Sequence, residues 1–314
     1  MTQYFIRRIL LIIPLLLAVT LFTFVLIRLA PGDPISAQYG ADPENMDAAQ
    51  LERIREQLGL NDPIHIQYWR FLQNLARGDL GRSISTKRPV GPDIVQRFPA
   101  TIQLAAASML VVIIIAIPLG VISAQRRGSW LDNLAMGASL FGVSMPNFWV
   151  GIMLILLFAL WLDWLPSGGR GDEPVEMLKS LILPAITLGT SMAGLVTRLT
   201  RSSMLEVLNQ DYIRTATSKG LKQRTVLLRH GLRNALIPVV TMLGVQFASL
   251  LSGAVIVETI FSWPGMGRFA VNAIWRRDYP VIMGTVLVFA TIFIFVNLVV
   301  DFLYVFLDPR IRYD

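Results

Sequence analysis

The stretch FPATIQLAAASMLVVIIIAIPLGVISAQ, residues 98–125, runs from Arg97 to Arg126 without one charged side chain. A hydrocarbon core about 30 Å thick needs roughly 20 apolar residues of helix to cross it, and this run is longer. Five more uncharged runs, residues 9–27, 133–162, 180–197, 234–257 and 279–300, are also rich in Leu, Ile, Val and Phe. Lipid offers no water to backbone N–H and C=O groups, so such runs cross as helices. The alternative is a set of buried helices in a large soluble protein, but six runs of this length exceed ordinary core helices. The chain therefore reads as an all-α membrane protein with six transmembrane helices. Composition agrees, because 54% hydrophobic and 16% charged residues leave too little polar surface for a soluble domain of 314 residues.

The net charge of +7 admits either nucleic acid or an anionic membrane as partner, and the placement of the charges decides. With a cytoplasmic N-terminus, the inner connections carry Arg7 and Arg8, then Arg126 and Arg127. They next carry Arg198, Arg201, Arg214, Lys219, Lys222, Arg224, Arg229 and Arg233. The connection after the third run instead holds Asp163, Asp172, Glu173 and Glu176 against Arg170. Positive charge concentrates on one side, which places both termini in the cytoplasm and removes the main support for a nucleic-acid partner. The first run is too long for a signal peptide, and Arg28-Leu29-Ala30-Pro31 lacks a small-x-small cleavage site, so it reads as a retained helix.

Four segments follow: residues 1–29 as the N-terminus and first helix, 30–97 as an outer insertion, 98–307 as the main transmembrane domain, and 308–314 as a cytoplasmic tail. The insertion holds eight basic and nine acidic residues and has helical signals of its own. Asp47 with Gln50 resembles a capping box opening a helix over 48–58, which Gly59 ends. Asn61-Asp62-Pro63 starts a second, with Ile64, Tyr68, Phe71, Leu72 and Leu75 on one face. The insertion is thus expected to form a small helical cap. Pro14, Pro118, Pro146, Pro184 and Pro238 fall inside runs and Pro280 opens the last, either as ordinary membrane composition or as bends. There is no internal repeat of the kind many secondary transporters show.

Several chemistries lack their residues. None of Lys87, Lys179, Lys219 and Lys222 ends a glycine-rich phosphate loop, so the chain has no nucleotide site of its own. His65 and His230 form no zinc-binding pattern, and there is no cysteine. Gly189-Thr190-Ser191-Met192-Ala193 lacks the last glycine of a nucleophile elbow, and Ser191 reads as a packing residue. Arg28 reads as a snorkelling anchor, whereas Asp301, one turn after Asn297, suits either a structural hydrogen bond or a functional role.

The informative segment is residues 200–234. Residues 204–218 can form an amphipathic helix, Gly220 can take the positive φ that stops it, and residues 223–232 can start another along the membrane surface. Composition alone allows a solvated positive-inside loop. However, the run Asp211-Tyr212-Ile213-Arg214-Thr215-Ala216, then Lys219-Gly220-Leu221, then His230-Gly231-Leu232-Arg233-Asn234-Ala235-Leu236-Ile237-Pro238 resembles the cytoplasmic loop of binding-protein-dependent ABC importer permeases. That family's pattern is Glu-Ala-Ala, three residues, Gly, nine residues, Ile-x-Leu-Pro. Here Arg214, Thr215 and Ala216 fill the triplet, Gly220 the glycine, and His230, Leu232 and Arg233 the last positions. The glutamate and proline are absent, a variant similar to the dipeptide, oligopeptide and nickel permease branch. The same branch is resembled by Arg28-Leu29-Ala30-Pro31-Gly32-Asp33-Pro34 and Gly78-Asp79-Leu80-Gly81-Arg82-Ser83. It is also resembled by Glu258-Thr259-Ile260-Phe261-Ser262-Trp263-Pro264-Gly265-Met266-Gly267, by Arg277-Asp278-Tyr279-Pro280 and by Asp308-Pro309-Arg310-Ile311-Arg312.

The resemblance implies a type I importer permease in the bacterial inner membrane that performs no covalent chemistry. It implies a second homologous permease, two cytoplasmic ATPase subunits and an extracytoplasmic solute-binding protein as partners, with ATP and magnesium used by the ATPases. It implies that Asp211, Tyr212, Arg214, Thr215, Ala216, Lys219, Gly220, Leu221, Arg229, His230 and Arg233 form an ATPase-coupling loop. Dipeptides or oligopeptides are the implied solutes, with nickel, glutathione or another small solute as alternatives. A stand-alone channel or secondary transporter, or a membrane enzyme, are the readings from other classes. No substrate-binding residue can be read from the sequence.

Overall fold

A backbone crossing lipid must bond to itself, and the computed structural model, which describes residues 2–29, 52–53, 55–56 and 59–307, is accordingly helical almost throughout. Among the described residues the isolated bridge between Arg82 and Pro89 is the sole extended pairing. The main helices are α1 (Thr2–Leu29), α2 (Ile64–Ala76), α3 (Val90–Gln125), α4 (Trp130–Ser144), α5 (Asn147–Leu154), α6 (Pro174–Leu208) and α7 (Asp211–Ser218). After them come α8 (Gln223–Thr225), α9 (Arg233–Gly253), α10 (Val255–Ile260), α11 (Met266–Trp275) and α12 (Tyr279–Leu307). Five helices are long and apolar enough to span a membrane: Leu10–Leu29, Val90–Gln125, Pro174–Leu208, Gln223–Leu251 and Tyr279–Val300. The pair Trp130–Ser144 and Asn147–Trp161 makes a sixth crossing if it is one span.

That pair corrects the expectation of one helix over 133–162, because its halves meet at 103°. Pro146 lacks an N–H and drives the preceding Met145 into extended backbone, with ψ near 131°, so α4 ends and α5 restarts after it. By contrast, Pro14, Pro184 and Pro238 lie inside unbroken helices. Helix ends also overshoot the uncharged runs. α3 begins at Val90, and Arg97 lies within it, with its guanidinium 2.7 Å from the Asp93 carbonyl and 4.2 Å from the centre of the Phe269 ring. A gap between charges marks apolar side chains; the hydrogen-bond ladder carries on beyond it.

The described residues gather into two compact units, one drawn from Met1–Ala100 and Gly265–Ile294, the other from Thr101–Pro264 and Phe295–Arg312. In the first unit the helix expected over 48–58 lies largely outside the described residues. Its end is visible: Gly59 has φ +63°, its N–H bonds the Glu56 carbonyl, and the Leu60 N–H reaches back to Arg55. α2 then starts after Pro63 and half-buries Tyr68, Phe71, Leu72 and Leu75 as expected, while Ile64 is exposed. Tyr68 docks α2 on α1, with its hydroxyl 3.1 Å from the Thr20 hydroxyl and its ring 5.2 Å from Phe24. Val90, Ile94, Met266, Ala273 and Val281 form the core of this unit.

The second unit is built on α6, which packs against α3 and α9 through Val112, Ala116, Ala193, Val196 and Val239. A second cluster holds Val121, Ala124, Met204, Leu227 and Ala235. Ser191 donates to its own helix at the Leu188 carbonyl, in keeping with a packing residue.

Candidate functional site

The basic segment after α6 is not one amphipathic helix over 204–218, as periodicity suggests, but two. α6 stops at Leu208, where Asn209 returns its side-chain N–H to the Leu205 carbonyl, and Gln210 turns to extended backbone before α7. Asparagine competes for backbone partners in this way and favours helix ends. α7 buries Ile213 and Ala216, three residues apart, against Val226 and Leu208. Asp211, Tyr212, Arg214, Thr215 and Lys219 are exposed. Ala216 therefore belongs to the packing face of α7 and not to the face it offers outward.

Gly220 closes the segment with φ +77°, and its N–H bonds the Thr217 carbonyl at 3.0 Å. Nothing lies within 4 Å of where a Cβ would stand, so conformation alone asks for glycine. The segment 223–232 is not a separate surface helix. It runs on through a wide π-type turn, Val226–Leu232, into α9, so that Gln223–Leu251 is one continuous apolar helix. Leu221, Arg229 and Arg233 are exposed and His230 is half-buried.

A polar clasp ties the two arms together. The Asn234 side-chain amide donates to the Tyr212 hydroxyl at 2.7 Å and approaches the His230 carbonyl at 3.3 Å, and Tyr212 points its own O–H toward that carbonyl at 3.4 Å. α7 is thus held to the helix that continues as α9 by packing on one side and hydrogen bonds on the other. Of the expected residues, Tyr212 and His230 meet directly, the latter through its backbone. Arg214 pairs loosely with Asp211 at 3.5 Å, and Lys219, Gly220 and Leu221 form the turn.

Three arrangements escaped the sequence reading. Arg201, counted there among the loop charges, instead makes a two-pronged ion pair with Asp132, at 2.6 and 2.8 Å. The signal was present: Ser129-x-x-Asp132 opens a helix, and a lone acid borders an apolar run. Asp278 of the Arg-Asp-Tyr-Pro stretch is buried and accepts from the Ser83 and Ser85 hydroxyls and the backbone N–H groups of Ile84 and Ser85. Two of the quoted stretches are therefore one device for holding the loop that precedes α3. Glu258 is fully buried and accepts from the Thr101 hydroxyl at 2.8 Å. Arg28 lies with its guanidinium 5.3 Å from the Phe24 ring centre and 5.2 Å from that of Tyr279, beside a cleft of about 210 Å³. The side chain of Asp301 and all of 30–34 and 308–312 lie outside the described residues.

Residues 116–313 match the family of binding-protein-dependent transport system inner membrane components, and residues 1–105 match the N-terminal region of the same membrane components. The chain belongs to this family. The permease is 45% identical over 336 aligned positions to the dipeptide transport system permease protein DppB of Alkalihalophilus pseudofirmus, with all of both chains covered. It is 44% identical over 313 positions to the glutathione transport system permease protein GsiC of Pectobacterium atrosepticum, and equally to that of Escherichia coli K12, again over all of each chain. These likenesses place it in the dipeptide and oligopeptide branch of ABC importer permeases. A solved structure of the MetNI methionine ABC transporter in inward-facing conformations has the same fold, with a TM-score of 0.55 at 17% identity over 68% of this chain and 96% of that one.

Proposed function

We propose that the permease carries dipeptides or short oligopeptides inward by alternating access, and that the exposed face of α7 with the following turn receives an ATPase subunit. The clasped loop carries this reading. Tyr212, Arg214, Thr215 and Lys219 are presented outward on a helix that the Tyr212–Asn234 bond and the Ile213–Val226 packing fix to an apolar span. A push on α7 is thereby delivered to α9 without slack. The partners in this reading are a homologous permease, two ATPases that use ATP and magnesium, and an external solute-binding protein; this chain needs no cofactor of its own. Both termini lie in the cytoplasm and the 30–97 insertion lies outside, because arginine and lysine concentrate in the α6–α9 connection.

Glutathione is a second solute supported by a specific observation, the full-length match to glutathione permeases. It is itself a tripeptide, so the two readings share the chemistry of a small zwitterion with amide bonds. The test is uptake into liposomes holding the complete complex, with labelled dipeptides, longer peptides, glutathione and nickel offered in turn. ATP-dependent uptake of a peptide is expected. Uptake of nickel alone would overturn the peptide assignment, and uptake without any ATPase subunit would overturn the importer scheme.

A further inference from the structure

Helices α4 and α6 run antiparallel and touch at three levels of one seam. At the first, Arg201 grips Asp132 with Nε and Nη2. From 132 to 139 along α4 and from 201 back to 194 along α6, the backbones meet where a Cβ on Gly194 would strike the Ser139 carbonyl. At the third, a Cβ on Gly142 would lie 3.1 Å from the Thr190 carbonyl. Steps of seven and then three or four residues keep one face of each helix on the other, as in close-packed helical pairs. The glycine contacts let the backbones approach, but they provide no directional bond against sliding or rotation.

The ion pair provides that bond. Asp132 is 2% exposed, and its orientation is fixed from its own side by the Gly128 N–H at 2.9 Å and by the Ser129 hydroxyl, which accepts from the Asp132 N–H. A planar guanidinium held by both carboxylate oxygens sets distance and rotation together. Arg201 stands on the same unbroken helix that ends at Leu208, with only Asn209 and Gln210 between it and the start of α7 at Asp211. At its other end α4 leads into the 103° break before α5.

We propose that Asp132 and Arg201 are positioning residues, a clamp that makes α4 and the bend beyond it travel with α6 when α7 is displaced. This rests on the reading of α7 as the ATPase-receiving surface. Spin labels at the exposed sites Leu134→Cys on α4 and Arg198→Cys on α6 report the seam directly in the purified, liposome-reconstituted complex, with and without ATP. In the unaltered clamp the distance stays constant through the cycle. In Asp132→Asn it splits between states, and uptake per ATP hydrolysed falls about tenfold while ATPase copurification is kept. Arg201→Lys, which keeps the charge but loses the fork, shows the same splitting, and the swap Asp132→Arg with Arg201→Asp restores part of the ratio. A constant distance in Asp132→Asn, or parallel loss of insertion in all three variants, overturns the clamp. A complex with an intact clamp that couples no ATP hydrolysis to uptake overturns the ATPase-receiving surface instead.

Discussion

Gly220 and Asp278 show two ways in which a single residue fixes a loop. Gly220 is needed only for its φ of +77°, since the space around it is open. Gly220→Val is therefore expected to cost about 1–2 kcal/mol locally, to re-aim α7 rather than unfold a span, and to weaken ATPase copurification with normal insertion. Gln73→Ala, on an exposed position of α2, serves as the control and leaves copurification unchanged. Asp278 acts through its partners. Its removal in Asp278→Ala strands the buried donors of Ser83 and Ile84 and the half-buried donors of Ser85. The expected loss is about 3 kcal/mol, read by thermal unfolding in detergent, against about 1 kcal/mol for Ser85→Ala, which removes the hydroxyl together with its bonds to Asp278 and Ser83. Equal losses in the two variants would show that the carboxylate does not organise the loop.

At the scale of elements, the permease holds helices together by backbone approach in one place and by side-chain bonds in another. The α4–α6 seam depends on Gly194, so Gly194→Ala is expected to destabilise the protein by about 1–3 kcal/mol, whereas Gly137→Ala, on an open face of α4, is neutral or slightly stabilising. Melting curves of the two variants in the same detergent check this, and equal midpoints would contradict the close-packed seam. The α7–α9 attachment depends instead on Tyr212 and Asn234. Tyr212→Phe removes the acceptor for the 2.7 Å bond and is expected to loosen α7 by about 1 kcal/mol, lowering ATPase affinity about fivefold. Asn234→Ala is expected to do the same, and the double variant to cost less than the sum of the two, because both remove the shared Tyr212–Asn234 bond while each also loses its own weaker contact with the His230 carbonyl.

For the whole molecule, sidedness is the property on which the transport reading depends. The chain has no cysteine, so a thiol introduced at exposed His65 is the sole target for a membrane-impermeant reagent. Labelling from outside intact cells is expected; labelling only after the cytoplasmic face is opened would reverse the topology. Where the apolar runs lie, the basic loop, the left-handed glycine at 220 and the family are all legible in the sequence, because run length, charge asymmetry and turn chemistry are local properties. It could not show that the third run breaks at Pro146 while Pro184 and Pro238 pass unbroken, since neighbouring helices decide whether a proline bends or is absorbed. Nor could it separate Arg201 from the other arginines of its loop, or show that Ala216 faces inward. Those outcomes depend on what lies opposite: Asp132 on a helix 69 residues away in sequence, and Val226 across the turn. Charge and hydropathy are written along the chain, but the partner that satisfies them is supplied only when distant helices pack.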